Sequence, residues 1–259
     1  MKNIFRFIII SYTVFFTSIP GLCLAAQKEI ILASDYWCPY SCMPNTKYSG
    51  YLVELAEKVF ESYGIKVKYK LMPWVEAITD AKEGRIDGVI GISNGEEDLV
   101  VSKTPLVYST IGAFTKEDSD WVYDGIESLN GKRITMVFGY DLGDTIRRHI
   151  SRNYPINPRL FIIEMGNEGV IDSINNLLDK KADIYVEDEA VVNHYLKNKH
   201  IHGIKNSGKI NEAVFPIYIA FSSKSLKTKN YIKMFEDALQ SLKDTGDLDD
   251  LKKKYNIPP

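Results

Sequence analysis

An alternation of strand-like and helix-like segments that runs once, stops and starts again limits this fold most. In the first run, residues 29–33 form a short apolar strand. Residues 52–63 then carry Leu52, Leu55, Ala56, Val59 and Phe60 at helical spacing, with Gly64 as the stop. Residues 67–71 alternate as a strand, 74–82 are helical, and 86–91 read as a third, buried strand. This βαβαβ order implies a parallel sheet with right-handed crossovers. The second run follows the turn Asn130-Gly131, with strands at 133–138, 160–164 and 182–186 and helices at 144–152, 169–180 and 189–196. Two such runs predict an α/β protein of two lobes. Residues 110–114 and 217–221 are apolar and predict two strands that carry the chain out to the second lobe and back. Residues 230–255 predict one long helix, with Ile232, Phe235, Leu239 and Leu242 turned onto the first lobe.

The amino terminus has a different purpose. Met1 to Arg6 is a short basic start, a largely apolar stretch follows at 7–16, and Pro20 and Gly21 end it. That stretch is shorter than the roughly 20 residues that span a bilayer. Leu24-Ala25-Ala26 offers small residues for cleavage, so residues 1–26 read as a signal peptide removed on export to the periplasm. Leu22 is bulky for the residue before a lipidated cysteine, so an acyl anchor on Cys23 is not expected. Cys38 and Cys42 then remain, in an oxidising compartment. They read as one local disulfide that shapes its loop. A metal pair would need further ligands nearby, and the thioredoxin-type redox motif has two intervening residues rather than three. Net charge is −2 and no basic block stands out, which leaves nucleic-acid binding without an electrostatic footprint.

Six segments, in order, resemble the family 3 periplasmic solute-binding proteins, which serve ABC importers of amino acids and related small polar compounds. They are Ser34-Asp35-Tyr36-Trp37-Cys38-Pro39-Tyr40; Gly50-Tyr51-Leu52-Val53-Glu54-Leu55-Ala56; Trp74 with its helix and Gly84-Arg85-Ile86-Asp87-Gly88; Leu129-Asn130-Gly131-Lys132; Lys181-Ala182-Asp183 through Glu187-Asp188; and Thr245-Gly246 with the closing helix. The resemblance spans nearly all of the mature chain. It implies a two-lobed, periplasmic-binding-protein type II fold, hinged by the two crossing strands. Lobe 1 is expected at 27–112 and 218–259, and lobe 2 at 113–217. It further implies a monomer that closes on a small-molecule ligand and delivers it to an ABC transporter permease at the inner membrane. No catalytic residue, cofactor or metal is expected.

Ligands of open α/β sheets bind beyond the carboxyl ends of the strands. Those ends supply Asp35, Tyr36, Trp37, Ser93, Asn94, Tyr140, Asp141 and Asp188, and Trp74 at a helix start joins them as a stacking wall. The resemblance places Asp188 as partner of a ligand amino group. The family's carboxylate-binding arginine is missing, because no Arg occurs from Ile86 through Lys132, and Gly139-Tyr140-Asp141-Leu142-Gly143 replaces the usual Gly-Thr-Thr-like turn. The expected ligand is therefore an amino acid held differently, or a related amine-bearing compound. Asp87 and Asp183 are expected to brace strand ends, Glu96-Glu97-Asp98 to form a solvated loop, and His200-Ile201-His202 a surface loop. One rival is a dehydratase-like enzyme on the same fold, with Glu54, Glu97 or Glu187 as its general acid. The other is a soluble ligand sensor for a signalling partner.

Overall fold

A computed structural model of the protein describes residues 28–93 and 95–257. The expected signal peptide, Cys23 and Asn94 lie outside the described residues. Among the described residues no helix is long and apolar enough to cross a membrane.

The first lobe opens with strand β1 (Lys28–Ser34), helix α1 (Tyr51–Glu61), β2 (Ile65–Leu71), α2 (Trp74–Lys82) and β3 (Gly88–Ile92). Short β4 (Leu99–Val101) and long β5 (Val107–Lys116) follow. The second lobe contains β6 (Ile134–Val137), α3 (Gly143–Asn153), β7 (Phe161–Glu164), α4 (Gly169–Leu178), β8 (Ile184–Asp188) and α5 (Glu189–Asn198). The chain returns on β9 (Ile204–Ser222) and closes with α6 (Thr228–Thr245) and α7 (Asp247–Tyr255).

Strand order is β2-β1-β3-β9-β5-β8-β6-β7, with β4 added beside β9. Within β2-β1-β3 and β7-β6-β8 the strands are parallel, as the two βαβαβ runs require. The junctions β3–β9, β9–β5 and β5–β8 are antiparallel. The expected crossing segments thus lie inside β5 and β9, which pair from Val107↔Ile217 to Lys116↔Ile204. Each lobe uses the same brace. Asp87 accepts the Ile31 backbone N–H at 2.8 Å, and Asp183 accepts that of Arg133 at 2.8 Å while its carboxylate also meets the Arg133 guanidinium. Both aspartates hold strand ends, as their positions suggested.

Two elements differ from expectation. The closing helix is broken at Gly246, whose φ of +83° is left-handed and ends α6 before α7 begins. Strand β9 is 19 residues long, far beyond 217–221, because its polar first half pairs with β5 in the second lobe. Apolar side chains of α1, α6 and α7 pack over β1 and β3, with Phe60, Phe221 and Phe235 fully buried.

Candidate ligand-binding cleft

Four parallel strands, two from each lobe, end at one cleft of about 450 Å³. The ends of β1 and β3 bring Asp35, Trp37 and Ser93, and α2 brings Trp74 and Ile78. From the second lobe come Gly139, Tyr140 and Asp141 after β6, Asp144 and Arg147 on α3, and Glu187 on β8. The crossing strands supply an apolar wall of Ile111, Phe215 and Ile217. Gly139 has φ +83°, and a Cβ there would stand 3.4 Å from the Trp74 ring and 3.1 Å from Val75. Glycine thus lets this turn close against the start of α2.

Polar groups join the lobes across the cleft. The Tyr140 hydroxyl donates to the Asp35 carboxylate. Ser93 Oγ donates to Asp141 at 2.8 Å, and Trp37 Nε1 donates to Glu187 at 3.2 Å. Deeper in, the Tyr40 hydroxyl donates to Asp188 at 3.3 Å.

Five lining residues are carboxylates: Asp35, Glu96, Asp141, Asp144 and Glu187. Arg147 is the one cation in the lining among the described residues. Glu96 is paired with Lys82 at 3.0 Å, and Asp144 with Arg147 at 2.9 Å. Asp35 and Glu187 form no ion pair among the described residues and are 5% and 1% exposed. Burial raises the Asp35 carboxyl to about 6, against the opposing hydrogen bond from Tyr140. Burial raises Glu187 further, to about 8, and the neighbouring Asp188 adds to the rise.

The sequence-predicted residues divide. Asp35, Trp37, Trp74, Ser93, Tyr140 and Asp141 line the cleft together. Tyr36 does not; its ring meets Tyr195 edge-on, with centroids 6.0 Å apart. Asp188 does not either. It is the N-cap of α5, accepting Ala190 N–H at 2.8 Å and Val191 N–H at 3.1 Å, and it also accepts the Ser109 hydroxyl and the Thr110 N–H. With those donors and Tyr40 its oxygens are occupied, which leaves no room for a ligand amine. The adjacent Glu187 faces the cleft instead, since successive side chains of a strand point to opposite faces. Arg147 was missed. It sits one helical turn beyond Asp144, and the i, i+3 pair at the start of a predicted helix was the available signal. Of the three glutamates weighed as general acids, Glu54 is held by Tyr255 and Lys254 on α7, Glu97 is exposed, and only Glu187 reaches the cleft.

The loop at the base of the cleft is fixed by the Cys38–Cys42 disulfide. Its carbonyls cap α1: Pro39 accepts the Tyr51 N–H at 2.8 Å and Tyr40 accepts that of Leu52 at 2.9 Å. Gly50 permits this approach. It has φ +111°, and a Cβ there would stand 2.4 Å from the Tyr40 oxygen.

The family model for bacterial extracellular solute-binding proteins, family 3, matches residues 30–258. No curated protein matches the chain. Many solved structures share the fold. A histidine kinase sensor domain with similarity to periplasmic binding proteins superposes with a TM-score of 0.74 at 20% identity, covering 88% of this chain and 96% of that one. An ancestral arginine-binding protein bound to arginine gives 0.72 at 22% identity, covering 88% and 97%. The arginine-, lysine-, histidine-binding protein of Geobacillus stearothermophilus gives 0.71 at 19% identity, covering 90% and 97%. Together they identify the architecture as the two-lobed type II fold of periplasmic binding proteins.

Proposed function

Because this chain belongs to the bacterial extracellular solute-binding proteins of family 3, we propose that it traps a small cationic, amine-bearing solute between its lobes and delivers it to an ABC importer. Residues 1–26 direct export and are removed in the periplasm. Lobe 1 comprises residues 27–112 and 218–259, and lobe 2 residues 113–217.

One observation carries the choice of ligand class: five carboxylates and one guanidinium line the cleft. A cation placed between Asp35 and Glu187 restores their charged forms, which burial otherwise disfavours. Trp37, Trp74 and Tyr140 line the same cleft and add aromatic surface beside that charge. Arg147 is the group present to meet a ligand carboxylate, in place of the family's missing arginine. Asp188 and Tyr36 serve behind these residues and do not touch the solute. The ligands named for two structures of this fold, arginine in one and arginine, lysine and histidine in the other, are basic amino acids. Contacts from both lobes are made together only in the closed state, so the ligand drives closure.

Calorimetric titration of ligand-free protein with arginine, lysine, putrescine, glutamine and glutamate tests this reading. Saturable binding of a basic member, weakened at least about tenfold by Glu187→Gln, is expected. Binding of glutamate with no response to arginine, lysine or putrescine would refute it.

The match to a histidine kinase sensor domain favours a second reading, in which the same closed form signals to a membrane kinase. The two readings part at the partner. Ligand-dependent crosslinking to a permease supports delivery, and crosslinking to a kinase supports sensing.

A further inference from the structure

The cysteine pair has a neighbour that its sequence spacing does not reveal. His194, on α5 of the second lobe, places a ring nitrogen such that it and the Cys38 and Cys42 sulfurs all lie within 4.8 Å of one another. His194 comes from the lobe opposite the cysteines and lies more than 150 positions beyond them in sequence. Cys38 and Cys42 are 2% and 5% exposed and His194 is half-buried, so the cluster is enclosed without being sealed. In this structure the two sulfurs are bonded to each other; once that bond is opened, two thiolates and an imidazole within this reach match the donor set of a tetrahedral ion with metal–sulfur bonds of about 2.3 Å and a metal–nitrogen bond of about 2 Å. Sulfur-rich donors select zinc or copper(I) over magnesium or calcium.

We infer that Cys38, Cys42 and His194 form a redox-gated site for a soft metal ion, closed to metal as the disulfide and opened by reduction. A dithiol reductant breaks the sulfur–sulfur bond, becoming a disulfide itself and leaving two protein thiols. Metal binding then releases two protons and joins the base loop of lobe 1 to α5 of lobe 2. The ligands span the lobe boundary, so an ion held there favours the closed arrangement of the cleft. None of its three ligands is among the cleft-lining residues, so coupling between ion and solute runs through lobe closure and is reciprocal.

The test uses the full exported chain, reduced anaerobically with a phosphine. The phosphine takes an oxygen from water as the bond opens, and the phosphine oxide is then removed by gel filtration. Titration with cobalt(II), read by thiolate-to-cobalt charge-transfer absorption, and competition for zinc against a chromophoric chelator give affinity and stoichiometry. Reduced protein is expected to bind one ion, and oxidised protein none at the same metal concentrations. His194→Ala should weaken binding more than about 100-fold, beyond the effect of losing a supporting group around a metal. His194→Cys should retain a thiolate-rich site. Circular dichroism accompanies each measurement. Equal affinity in wild type and His194→Ala, absorption in the oxidised protein, or loss of the fold on reduction would each overturn the inference.

Discussion

At the scale of single residues, neighbours Glu187 and Asp188 carry opposite duties. Asp188 holds the start of α5 and the turn at Ser109-Thr110, so Asp188→Ala leaves several buried donors unmet. It is expected to lower unfolding stability by about 3 kcal/mol or more in denaturant titrations. Glu187→Gln keeps an acceptor for Trp37 and removes a buried charge. It should leave stability unchanged or higher at pH 8 while weakening the cationic solute. A stable Asp188→Ala protein that has lost its solute would reverse these assignments. Two carboxylates of the cleft, Asp35 and Glu187, set a pH dependence. Asp35 rises from 3.8 to about 6 and Glu187 from 4.5 to about 8 on folding. Between those limits the folded, empty chain keeps protons that the unfolded chain has released, so its stability falls as pH rises. A loss of about 5 kcal/mol between pH 5 and pH 8 is expected from urea unfolding, and stability that rises over this range would contradict it. For the same reason, cation binding near pH 7 should expel protons, measurable by calorimetry in buffers of different ionisation enthalpy. Five of the residues that line the cleft were legible because strand ends were legible, and Trp74 because a helix start was. The sequence pointed to Asp188 whereas Glu187 lines the cleft, because a family position does not reveal which of two adjacent side chains turns inward, and the cap on α5 is made by the same carboxylate that looked free.

At the scale of elements, the disulfide loop and α1 form one unit. Two loop carbonyls cap the helix, and Gly50 makes the approach sterically feasible. Gly50→Ala is expected to cost about 2 kcal/mol or more, since it combines an unfavourable φ with a contact to backbone. Replacing both cysteines with serine should cost less than a long-range bridge would, about 2 kcal/mol for so short a loop, as read by thermal or urea unfolding. Full unfolding of that double variant would show that the loop, and not the helix packing, holds the lobe together. Most helices and parallel strands could be read from period alone. The break at Gly246 and the length of β9 could not. A single glycine inside an amphipathic pattern is compatible with either a continuous or a broken helix. The first half of β9 is polar, and its strand character comes from pairing with β5.

At the scale of the whole molecule, two parallel sheets with the same 2-1-3 order face one another through antiparallel β5 and β9. This architecture followed from the restart of the βαβαβ order. Closure did not, because it depends on contacts such as Tyr140 with Asp35 and Ser93 with Asp141 that join residues far apart in sequence. Under the proposed function, those contacts hold together around a guest and come apart without one. Spin labels on Lys66→Cys, at the outer strand of lobe 1, and Arg159→Cys, beside the outer strand of lobe 2, report the distance between the lobes by pulsed electron resonance. A broad distribution in ligand-free protein that becomes shorter and narrower with a bound basic solute is the expected result. An identical distribution with and without a solute shown by calorimetry to be bound would contradict the trap.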